Sequence, residues 1–125
     1  MNIKILETLE ENKYILFNSQ HGRGLGRWAG SSPPKINEEY NVELNIEFIL
    51  SFDNCNISNN EMGKISIIEQ KLHINGKIES IDDDGMFFLR LSRDCLLMIE
   101  SENNFNIGAW LSFFVEKEKV DVYLT

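Results

Sequence analysis

Little in this chain could hold a metal or run thiol chemistry. It has two cysteines and two histidines in 125 residues, and Cys55 and Cys95 stand far apart with no C-x-x-C spacing. That removes the zinc-knuckle and thioredoxin-type patterns, and both cysteines read as reduced, structural thiols. No eighteen apolar residues stand together, and the opening "MNIKILETLEENK" has no basic segment leading into an apolar run. Neither a spanning helix nor a secretory signal is therefore expected, and the expected location is the cytoplasm, with no membrane partner. There are only two prolines, no low-complexity tract and no internal repeat. With 42% hydrophobic residues, the chain is expected to fold, and one domain over residues 1–125 would bury roughly two thirds of its extended surface.

Positive charge is scarce as well. Twelve Lys and Arg face twenty Asp and Glu, a net charge of −8, which repels a phosphate backbone and makes nucleic acid a second choice of partner. The exception is local. "HGRGLGRWAG" and the following "SSPPK", residues 21–35, carry Arg23, Arg27 and Lys35 and no acid. The dinucleotide fingerprint G-x-G-x-x-G fails here, and only its alanine-ended form fits residues 24–29. That form needs a strand turning into a helix, and the paired prolines neither supply the amides nor continue a helix. The stretch reads instead as a mobile cationic loop, with Arg23 and Arg27 set against an acidic surface and Trp28 as an anchor.

What the chain does have is alternation. Val42, Leu44, Ile46, Phe48, Leu50 and Phe52 share one face of a run whose other face carries Glu43, Asn45, Glu47 and Ser51, a period-two pattern that predicts a strand over 40–52. A second run over 71–81 places Leu72, Ile74, Gly76 and Ile78 inward, with Gly76 marking a bend. "IDDDGM" then predicts a tight hairpin into "MFFLRLSRDCLLMIE", which turns near Ser92-Arg93-Asp94. "AWLSFFVEKEKVDVYLT" predicts two closing strands around "EKEK". At the start, "IKILETL" and "YILFNS" flank "EENK" as a hairpin, with a short helix over 4–11 as the competing form.

The expected fold is all-β: a small antiparallel barrel of five to seven strands. The order of a long strand, a Gly-bearing strand, a tight hairpin and a closing strand over 40–125 resembles the OB-fold. Residues 1–39 would then be an N-terminal hairpin or helix followed by a Gly/Pro-rich loop, and residues 40–125 the barrel.

Asp82-Asp83-Asp84-Gly85 does not make a calcium loop, because the twelve residues from Asp82 end in Arg93 where an EF-hand needs Glu. It reads as an acidic hairpin tip that, with Glu79, could form an anionic contact patch. His21, His73 and Cys55 have no spacing that joins them, so no enzyme, cofactor or metal is expected. Phe87, Phe88, Trp110, Phe113, Phe114 and Tyr123 lie in apolar runs that fill a core more simply than they stack on bases. "YNVELNIEF", "GKIESIDDDGMFFLRL" and "IGAWLSFFVEKEKVDVYLT" resemble the immunity proteins of bacterial polymorphic toxins, including contact-dependent growth inhibition systems. The resemblance implies a protein that binds a cognate toxin C-terminal domain, often a basic nuclease, and masks it; the sequence does not fix the oligomeric state, with a monomer favoured. Glu43, Glu47 and Asp82 to Asp84 are the acids expected to meet such a partner, with the Trp28, Arg23 and Arg27 loop beside them. The competing reading is an OB-type module for nucleic acid or a small ligand.

Overall fold

Ile3 and Ile5 alternate with Asn2 and Lys4. In the computed structural model, which describes all of residues 1–125, this period-two pattern makes a strand and not a helix. β1 (Asn2–Leu9) turns through Glu10, Glu11 and Asn12, all at positive φ, into β2 (Tyr14–Ser19). β3 (Gly22–Trp28) follows at once, so most of "HGRGLGRWAG" is barrel wall and not the loop its glycines suggested. The physical reason lies on the inner face, where Phe17 stands opposite Gly24. Phe17 is fully buried, and a Cβ at Gly24 would run into its ring.

β4 (Glu39–Ile46) pairs antiparallel with β1, Ile3 opposite Tyr40. The last strand, β12 (Val120–Leu124), lies antiparallel to β4 and parallel to β3. These five close a barrel in the order β1-β2-β3-β12-β4. The division expected at residue 40 therefore does not describe the chain. Ile3, Ile5, Ile15 and Phe17 fill the same cluster as Val42, Ile46, Val120 and Val122, which makes the first 28 residues three of the five staves.

Residues between β4 and β12 build a second sheet: β5 (Ile49–Leu50), β6 (Cys55–Ile57), β7 (Lys64–Ile68), β8 (Lys71–Ile81), β9 (Met86–Ser92), β10 (Cys95–Ser101) and β11 (Trp110–Val115). Its order is β5-β10-β9-β8-β11-β6, with β7 also on β8. β8 organises it. One edge of β8 takes β11 over Leu72–Lys77, while the other passes from β7 to β9, the change falling at Gly76. The predicted Asp-Gly hairpin is present: the Asp82 Oδ1 accepts the N–H groups of Asp84 and Met86, both at 2.9 Å, and Gly85 turns at φ 82°.

Two expectations at the junctions need correction. The strand over 40–52 is two strands in different sheets, since β4 ends at Ile46 and the chain crosses over at Glu47-Phe48. The alternation runs on across this crossing through Phe48 and Leu50 and loses phase only at Ser51, leaving Ser51 buried and Phe52 63% exposed. "EKEK" is likewise no hairpin. It holds a 3-10 turn, Lys117–Lys119, that carries the chain from β11 in the second sheet back to β12 in the barrel. One cluster of 23 buried residues, including Phe17 from the barrel and Ile74, Phe87 and Leu111 from the second sheet, binds the two layers. Each fully buried apolar side chain contributes about 1.5–3 kcal/mol. No helix is long and apolar enough to cross a membrane.

Candidate functional site

Two grooves flank the junction of barrel and sheet. The first lies on the outer face of β2 and β3. Leu16 and Leu25 are cross-strand partners there, and with Leu9, Ile65 and Ile67 they give a groove of about 850 Å³ an apolar lining. Gly22 decides its shape: at φ 121° it lets β7 come so close that any Cβ would meet the Ile65 carbonyl oxygen. The Ile65 N–H donates to the His21 carbonyl at 2.9 Å. At the rim stand Arg23 from β3, Lys64 from β7 and Lys117 from the 3-10 turn. Lys117 is 3.1 Å from Glu10 and its Nζ lies 4.6 Å from the centre of the Tyr14 ring. Arg23 and Lys64 have no ion pair within the chain; the four pairs present use Arg27, Lys71, Arg90 and Lys117.

His21 closes the seam beside this groove. Its Nε2 lies 3.1 Å from the Ser92 hydroxyl and 3.4 Å from the Gln20 amide nitrogen, two groups that can donate to it. Burial pushes its pKa down, the N-terminal ammonium adds to that, and Asp94 partly offsets both. Neutral imidazole fits all three observations, and the residue joins the two layers as a hydrogen-bonded strut.

The second groove, about 760 Å³, lies between β4 and β12 on one side and β9 and β10 on the other. Leu96, Met98 and Tyr123 line it and are 40%, 51% and 45% exposed. Glu43, directly opposite Tyr123 across β4 and β12, stands at its rim with Arg93. The register extends this apolar face. Phe88 pairs with Met98, and Met86 with Glu100, so the outer face of the β9–β10 hairpin runs from Leu96 through Phe88 and Met98 towards Glu100 and the Asp82–Gly85 turn. Side chains directly opposite across an antiparallel pair share a face.

The expected site residues thus fall into separate places. Glu43 borders the second groove; Glu47 is exposed just beyond β4, its N–H held by the Lys119 carbonyl at 2.8 Å. Asp83 and Asp84 are exposed in the β8–β9 turn, whereas Asp82 spends a carboxylate oxygen inside that turn. Glu79 is taken up by Arg90, Nη2 to Oε2 at 2.8 Å. Arg23 borders the first groove. Arg27 pairs with buried Asp121 at 2.7 Å, and that bond raises the already high pKa of its guanidinium. Trp28 packs edge-on to Tyr40, ring centres 5.1 Å apart, and donates from Nε1 to the Ser32 carbonyl at 2.8 Å.

His21, His73 and Cys55 are not brought together. Cys55 donates to the Ser51 carbonyl at 3.2 Å, and burial raises its thiol pKa, which weakens it as a nucleophile. His73 lies against Phe114, ring centres 4.7 Å apart. Neither histidine hydrogen-bonds the cysteine, and no three His, Cys, Asp or Glu side chains converge as metal ligands do. Of the aromatics expected in the core, Phe87 and Phe113 are there, while Phe114 and Tyr123 are each 45% exposed. The chain matches no protein-family model, no curated protein and no solved structure.

Lys64, Lys117, Leu96 and Met98 were not anticipated. Leu96 and Met98 did leave a signal: in "CLLMIE" they alternate with the buried Cys95, Leu97 and Ile99, so this strand is apolar on both faces. Lys64 and Lys117 left none, because β7 and the 3-10 turn reach the groove only by packing separately on β3.

Proposed function

We propose that this chain is a non-enzymatic binding protein of the immunity type, which neutralises a basic toxin domain by covering it. The observation that carries the reading is the outer face of the β9–β10 hairpin with its groove. Leu96, Met98 and Tyr123 stand exposed beside half-buried Phe88, with Glu43 at one end and Glu100, Asp83 and Asp84 towards the other. An apolar, Met- and Tyr-bearing centre with a charged rim is the anatomy of a protein interface. None of these four acids is paired with a cation of the chain, since the ion pairs use Glu10, Glu79, Glu116 and Asp121. Their field is left to steer a cationic partner. A rigid β scaffold suits masking, because little ordering entropy is lost on binding.

Co-expression tests it. The probe is the variable C-terminal domain of a large secreted protein, where the neighbouring upstream gene encodes one. The wild-type chain restores growth of cells making that domain, and Met98→Glu, on an exposed position that leaves the core intact, abolishes rescue while the protein stays folded. Absence of rescue, together with retention of single-stranded oligonucleotide at moderate salt, would transfer the function to nucleic-acid binding.

A further inference from the structure

The first groove shares no lining residue with the groove of the proposed partner surface and has a different chemistry. Its lining is leucine and isoleucine from four strands, β1, β2, β3 and β7, and its rim is cationic in a chain of net charge −8. Arg23, Lys64 and Lys117 come from three separate elements, and the one acid among the lining residues, Glu10, is already bonded to Lys117. Arg23 and Lys64 thus border the groove without an ion-pair partner in the chain. Its volume is that of a small-molecule site.

We propose that this groove binds a single-chain amphipathic anion, a carboxylate or sulfonate on an apolar body. The apolar part lies along Leu16, Leu25 and Ile67, and the head group is held by Arg23 and Lys64. An uncharged apolar ligand would leave both cations unanswered. A nucleic-acid strand would need stacking platforms, and no aromatic side chain lines this groove. Arg23 supplies the planar donor fork for an oxyanion, and Lys64 a mobile point charge. Ser66 and Gln70, also in the lining, offer neutral donors for the remaining head-group oxygens.

The experiment uses the whole chain and 8-anilinonaphthalene-1-sulfonate, whose fluorescence rises in an apolar site. One saturable site is expected, emptied by dodecanoate and not by dodecyltrimethylammonium. Arg23→Glu and Lys64→Glu, both at exposed positions, each weaken binding about tenfold, the loss of one charge-assisted hydrogen bond. Glu38→Lys, at an exposed position that lines neither groove, leaves it unchanged. Circular dichroism confirms that each variant is folded. Equal displacement by the cationic and anionic amphiphiles, or undiminished affinity in both charge-reversed variants, overturns the proposal. So does absence of saturable binding, or a sulfonate site that only anionic phospholipid vesicles can empty.

Discussion

At Gly24 the inner face of the barrel leaves room for the Phe17 ring and for nothing else. Gly24→Ala is therefore expected to lower stability by about 1–3 kcal/mol, the usual cost of overpacking a filled core. Phe17→Leu in the same chain should recover part of that loss, measured by urea denaturation. A neutral Gly24→Ala would contradict the packing described for β2 and β3. His21 gives a pH-dependent counterpart. Its folded pKa lies below the ordinary 6.5, chiefly through burial, and that of His73 is lowered by burial and by Lys64. The unfolded chain thus takes up protons first, so stability is fully present above about pH 6.5 and declines as pH falls towards the folded values. Urea midpoints should drop between about pH 7.5 and 5.5, and His21→Gln should flatten part of that slope. An unchanged slope in the His21→Gln/His73→Gln double variant would remove both imidazoles as its source.

Among the elements, β8 is paired on both edges for most of its length, whereas β5 and β6 form the ends of the sheet with two and three residues. Amide hydrogen exchange should be slowest over Leu72–Ile78 and much faster in Cys55–Ile57, because exchange from a central strand requires opening of its neighbours too. Comparable rates in the two segments would contradict the topology. The strands themselves were legible wherever one face is buried: Leu72, Ile74 and Ile78 alternate, and Asp-Gly turns where a hairpin needs it. β3 was not, because its glycines suggest loop by composition. Yet Gly22, Gly24 and Gly26 recur with period two against Arg23, Leu25 and Arg27, which is a strand's own pattern. Sheet membership was the other loss. Nothing local in "YNVELNIEFILSF" says that Ile46 and Leu50 belong to different sheets, since the crossing at Glu47-Phe48 is settled by distant partners, Lys119 and Phe113.

For the molecule as a whole, net charge was readable from composition, but its distribution was not. Which acids are neutralised depends on contacts across the fold, such as Arg90 with Glu79 and Arg27 with Asp121. The same holds for the outer β9–β10 face: Glu43 was legible as an outward acid, while its place beside Leu96, Met98 and Tyr123 required the barrel and sheet to be assembled. The proposed function makes this face a docking surface approached under electrostatic steering. The most direct test is the association kinetics of the cognate toxin domain with the wild-type chain and with Glu43→Lys/Glu47→Lys, across a range of salt concentrations. Association of the double variant should be slower by about tenfold or more at low salt, and its salt dependence shallower. An association rate and a salt dependence both identical to wild type would contradict it.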